Sequence, residues 1–105
     1  MIMDQLTSRQ RAHLRKLAHH MKPVVLIGAE GISPSVLTSV REAFNRRELL
    51  KVKLQESAPL DVKDAAGELS SRVSGSHSVQ TIGRTIVLYR AHPENPEIRL
   101  PKAAS

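Results

Sequence analysis

Apolar residues recur along the chain with two different periods, and the switches between them predict seven elements. Leu14, Leu17, Ala18 and Met21 fall at i, i+3, i+4 and i+7, one side of a helix. Thr7-Ser8-Arg9-Gln10 has capping-box spacing, so this helix opens after Thr7 and runs to about His20. Pro23 to Ile27 is apolar without alternation, which predicts a strand buried on both faces and central in its sheet. Gly28-Ala29-Glu30-Gly31 breaks that strand. Ser33-Pro34 then offers an N-cap and an N1 proline to a second helix, with Val36, Leu37, Val40, Ala43 and Phe44 on its apolar side.

Leu50, Val52 and Leu54 alternate with Lys51 and Lys53, the pattern of a strand that meets the core with one face only. Asp61 caps a third helix with the stripe Val62, Ala65, Ala66, Leu69 and Val73, ending near Gly75. Val79 to Ile82 and Thr85 to Arg90 are two strands joined at Gly83-Arg84, where glycine in the first loop position suits a type II′ hairpin. The order αβαβαββ predicts an α/β fold, a four-stranded mixed sheet packed with three helices. Residues 1–90 form one domain. Residues 91–105, with Pro93, Pro96 and Pro101, form an extended tail belonging to the same unit.

With 105 residues there is room for one core. Phe44 and Tyr89 are the only aromatics, so aliphatic side chains must fill that core, and stacking platforms for bases are nearly absent. The chain has no cysteine, which excludes disulfides and Cys-based zinc and fits a reducing compartment. Its longest apolar stretch, Val24 to Ile27, is far short of a membrane span, and no signal peptide is read at its start. The expectation is a soluble, cytoplasmic monomer.

Charge narrows the picture. Sixteen Lys and Arg against ten acids give +6, and the whole surplus sits in residues 1–54, with ten bases and four acids. The first helix carries Arg9, Arg11, His13, Arg15, Lys16, His19 and His20 around its apolar stripe, with no acid among them. Like charges at i,i+4 repel, so a face of one sign points to a polyanionic partner, nucleic acid above all. The alternative is generic solubilising charge.

The residues for catalysis are missing. There is no Cys nucleophile, no Gly-x-Ser-x-Gly elbow and no prominent carboxylate pair. His19 and His20 diverge by about 100° on a helix, which suits surface residues better than a metal site. Neither metal nor cofactor is expected. The motif that could bind is Gly28 to Gly31, between a strand and a capped helix. Glycines there admit a close phosphate, as in the GxxG loop that clamps nucleic-acid backbone, but a tight turn explains them equally well.

These runs together carry a resemblance. HLRKLAHHMKPVVLIGAEGISPSVLTSV, then ELLKVKL, then VQTIGRTIVLYR resemble the CRM domain family (chloroplast RNA splicing and ribosome maturation), with its stand-alone YhbY-like bacterial RNA-binding members. The similarity spans residues 6–102, including Ile98-Arg99-Leu100-Pro101. It implies a fold similar to the C-terminal domain of translation initiation factor three, RNA binding, and association with large-subunit ribosomal precursors. It places the family's GxxG loop on Gly28 to Gly31 and its basic positions on Lys22, Lys51, Lys53, Arg84 and Arg90. Glu30 departs from the family pattern by adding a negative charge inside the loop.

The expected partner is therefore RNA, ribosomal RNA or a large-subunit precursor, with no membrane and no small-molecule substrate. Its expected surface combines Arg15, Lys16, Lys22, Gly28, Gly31, Lys51, Lys53, Arg84 and Arg90. The function read is that of a non-enzymatic ribosome assembly factor. The runner-up is a ribosome-associated protein-binding module whose basic face attaches to RNA only non-specifically.

Overall fold

Each helix begins where a side chain can accept a free backbone N–H. In the computed structural model, which describes residues 5–102, helix α1 (Ser8–Ala18) starts from a complete capping box. The Thr7 hydroxyl accepts the Gln10 N–H at 3.1 Å and the Gln10 side chain accepts the Thr7 N–H at 3.0 Å. Ser33 caps α2 (Pro34–Arg46), with Pro34 at its start, and Asp61 caps α3 (Val62–Arg72). The expected boundaries 1–90 and 91–105 also include four initial and three final residues that lie outside the described ones.

Strands β1 (Pro23–Ile27), β2 (Leu49–Leu54), β3 (His77–Ile82) and β4 (Thr85–Tyr89) form one mixed sheet in the order β1-β2-β4-β3. β1 and β2 are parallel, and β4 runs antiparallel to both β2 and β3. Gly83 has φ 58° while, among the described residues, no non-glycine residue has a positive φ, the pattern of a type II′ turn.

β1 departs from its expected central place. The last hairpin inserts β4 beside β2 and leaves β1 at the edge, with Pro23 where its missing N–H costs no ladder bond. Only Val25 and Ile27 reach the core, while Val24 is 44% and Leu26 54% exposed. An unbroken apolar run does not reveal whether a second helix covers its other face.

Two cores flank the sheet. α2 and α3 cover one face, burying Val40, Phe44 and Leu69 against Ile27, Leu50, Val52, Ile86 and Leu88. α1 lies on the other face, where Leu14 and Ala18 meet Leu49, Val79, Val87 and Tyr89. β2 thus contributes to both cores, Leu49 being the residue the one-sided alternation did not predict to be buried. Arg11 ties α1 down by donating to the carbonyls of Ser78 and Val79 at 2.6 and 3.1 Å, beside the bulge in β3. Arg11 therefore belongs to the packing rather than to an open cationic face.

The tail closes the second core. Ile98 and Leu100 pack against it, and Gln10 donates to the Pro101 carbonyl at 3.0 Å. Buried Glu48, just before β2, holds the tail by accepting the N–H groups of His92 (2.6 Å), Glu97 (2.8 Å) and Ile98 (2.7 Å).

Candidate nucleic-acid interface

A helix of 11 residues is about 16 Å long and about 10 Å wide, too small to cover a four-stranded sheet. α1 covers the end of the sheet around Leu49, Tyr89 and Val79. The other half of that face is bare. Its outermost row runs across the strands as Leu26, Lys53, Thr85 and Ile82, with Leu26 and Ile82 each more than half exposed. Neither α1 nor any strand contains an Asp or Glu, so Lys51, Lys53 and the helix bases meet no opposing charge from these elements.

The bare half has a basic rim. Arg15 and Lys16, from the last turn of α1, and Lys51 line one cleft of about 690 Å³ with Gln80 and Ile82. Lys53 leaves the same face of β2 two residues on, roughly 7 Å from Lys51. Lys22 immediately precedes Pro23, which is in register with Lys51.

The carboxyl ends of β1, β2 and β3 form the upper border, and Gln55 joins their loops. Its N–H donates to the Ile27 carbonyl at 2.8 Å, its carbonyl accepts the Arg84 guanidinium at 3.1 Å, and Leu54 donates to the Arg84 carbonyl at 2.8 Å. The glycine loop, Gln55 and the hairpin tip are therefore held in fixed relation.

The two glycines of that loop differ. Gly31 has φ 68°, donates to the Gly28 carbonyl at 2.9 Å, and a Cβ there would lie 3.3 Å from Pro59. Folding alone accounts for Gly31. At Gly28 a Cβ would crowd the Gln55 side-chain oxygen, at 2.8 Å, the far end of a flexible side chain, and otherwise meet the Ser57 hydroxyl at an ordinary 4.0 Å. The N–H groups of Gly31, Ser33 and Val36 already have acceptors within the chain, and Pro34 has none. This leaves the exposed tip, Ala29-Glu30, together with the Ser35 N–H in the first turn of α2, to meet a ligand.

Arg90 is not brought to this surface. It lies at the opposite end of β4, its N–H on the Glu48 carbonyl at 2.9 Å and its guanidinium 5.1 Å from the Phe44 ring centre. Arg41 and Arg46 sit on α2, behind the sheet, where Arg41 donates to the last-turn carbonyl of Arg72. The surplus charge of the first half is thus divided between two sides. Tyr89 is 5% exposed, so both aromatics are buried and neither offers a stacking surface. The sequence reading missed the exposed Leu26 and Ile82; Pro23, a mark of edge strands, was the available signal for Leu26.

Among the described residues, no group of three or more His, Asp or Glu could hold a metal ion. Among the same residues, no helix is long and apolar enough to cross a membrane.

Residues 6–90 match the model of the CRS1 / YhbY (CRM) domain. The chain is 42% identical over 98 residues to the Bacillus subtilis protein named "Probable RNA-binding protein YqeI", covering 91% of this chain and 99% of that one. It is 38% identical over 100 residues to a Haemophilus influenzae protein named "RNA-binding protein", with 95% and 99% covered. The solution structure of the hypothetical protein SAV1595 from Staphylococcus aureus superposes with a TM-score of 0.77 at 39% identity, covering 92% of this chain and all of that one.

Proposed function

The chain belongs to the CRS1/YhbY (CRM) domain family, and from that premise we propose that it is an RNA-binding protein acting on ribosomal RNA in large-subunit precursor particles. The observation that carries this reading is the sheet face free of strand and α1 acids, uncovered around Leu26, Lys53 and Ile82 and rimmed by Arg15, Lys16, Lys22, Lys51 and Lys53. Arg84 and the tip of the glycine loop border it on the side of the strand ends. Lys and Arg on such a face displace condensed counterions from phosphates, an attraction that needs no catalytic group. The names of the relatives support RNA as the ligand. The ribosomal target rests on the family resemblance.

Salt tests the electrostatic part. Six bases on phosphates, at about −0.7 to −0.9 each, give a slope of log K against log salt of about −4 to −5. Filter binding to large-subunit ribosomal RNA between 50 mM and 300 mM salt reads it, and a slope shallower than −2 overturns the account. Affinity purification with mapping of cross-linked RNA tests the particle. Large-subunit precursors are the expected recovery, and mature subunits alone would contradict it.

The glycine loop gives a second expectation. Gly31→Leu should lower the melting temperature, because its φ is strained for any side chain, at a cost of about 1–3 kcal/mol. Gly28→Ala should leave folding nearly unchanged and weaken RNA binding, and Glu30→Lys should tighten it. Calorimetry and binding assays on all three variants separate folding from contact. Unchanged affinity in both Gly28→Ala and Glu30→Lys places the loop outside the interface.

A further inference from the structure

Phosphate contacts alone do not use the form of the cleft between the end of α1 and the hairpin. The cleft is nucleotide-sized, at about 690 Å³, and its walls mix the exposed side chain of Ile82 and Ala12 with the polar side chains of Gln80, His19 and His20. Arg15, Lys16 and Lys51 line it as well. Gln80, half-buried beside Ile82, presents an amide that can both donate and accept. A paired helix keeps its base faces stacked inside itself and would bring only phosphates to these basic side chains, leaving exposed Ile82 without an apolar partner. A flat apolar ring with hydrogen-bonding edges and an anion attached satisfies both parts.

We infer that this cleft receives one unpaired nucleobase from an RNA loop or bulge. The base rests on Ile82, its edge is read by the Gln80 amide, and its flanking phosphates lie on Lys16 and Lys51. The planar Arg15 guanidinium supplies the stacking surface that the two buried aromatics do not. This site rests on the RNA-binding reading and adds the class of RNA to it: unpaired bases rather than duplex. It also gives Ile82 a reason to stay 52% exposed at the end of a strand.

The test uses two RNA probes of equal phosphate number, a stem closed by an eight-nucleotide unpaired loop and a fully paired duplex. Wild type, Ile82→Ser and Gln80→Ala are compared by fluorescence anisotropy over a salt series, with melting temperatures measured alongside. Wild type should prefer the looped RNA. Each variant should lose about ten-fold on that probe, with the salt slope kept and duplex binding unchanged. The lost preference identifies the base site, because a general electrostatic defect would change both probes. Wild type and variants that bind the two RNAs alike overturn the base site and leave the RNA-binding reading standing. A wild type that binds neither probe overturns both.

Discussion

Glu48→Ala is expected to lower the stability of the chain by about 2–4 kcal/mol, a fall in melting temperature on the order of 10–20 °C. Glu48 is 4% exposed, and its carboxylate accepts three backbone N–H groups from residues 44 to 50 positions away. Without it those donors are unpaired, at about 1–3 kcal/mol each if they stay buried. The loss is capped because the tail can release into water, giving up the packing of Ile98 and Leu100 instead. Glu48→Gln should recover only part of the loss, since its amide NH2 must face one of the same donors. Burial pushes the Glu48 carboxyl up, but the backbone N–H groups of His92, Ile98 and Glu97 outweigh it and hold the pKa below the ordinary 4.5. A pKa lowered by folding contributes stability above the unfolded value, and that stability is lost as pH falls through the folded value. The gap between wild type and Glu48→Ala should therefore be full at pH 7 and narrow below about pH 4.5. Thermal melts between pH 3 and 7, with proteolysis of residues 91–102 as a second readout, measure this. Equal melting temperatures at pH 7 would show that the tail does not depend on Glu48.

Glu48 also marks what sequence could not convey. Its partners are backbone N–H groups, which leave no signature in residue type, and an acid before a strand reads as solvent-exposed. The helix starts were legible because the information is local: Thr7, Ser33 and Asp61 each cap within three residues. The hairpin was legible for the same reason, since Gly83 is the one residue in its turn that tolerates φ 58°. The place of β1 was not local. Its five apolar residues suit a central strand or a half-bare edge equally, and only the insertion of β4 beside β2 decides between them. The basic residues were legible as a group but not in their separate roles. Arg11 and Arg15 are four apart on one helix, yet Arg11 is spent on β3 carbonyls while Arg15 lines the cleft. Arg90 was assigned to the surface by position and is held against Phe44 at the far end.

Removing Lys51 and Lys53 together should weaken RNA binding about 25- to 60-fold at 0.1 M salt, two contacts' share at about −0.7 to −0.9 each. The slope should flatten by about 1.4 to 1.8 at the same time. Stability should scarcely change, because neither lysine forms an ion pair among the described residues and Lys53 is exposed. The control is Lys63→Ala with Arg72→Ala on α3, behind the sheet, which removes the same formal charge from the other side of the molecule. Arg72 is paired with Glu68 at 3.1 Å, so its loss leaves an uncompensated acid and exaggerates any general electrostatic effect of the control. Even so, binding should fall less than two-fold there. A long-range field is screened within about 8–10 Å at these salt concentrations, whereas a phosphate on the bare sheet face is in contact with its lysine. Equal weakening by the two pairs would mean that the charge acts diffusely over the whole molecule. The uncovered sheet face would then not be where RNA binds.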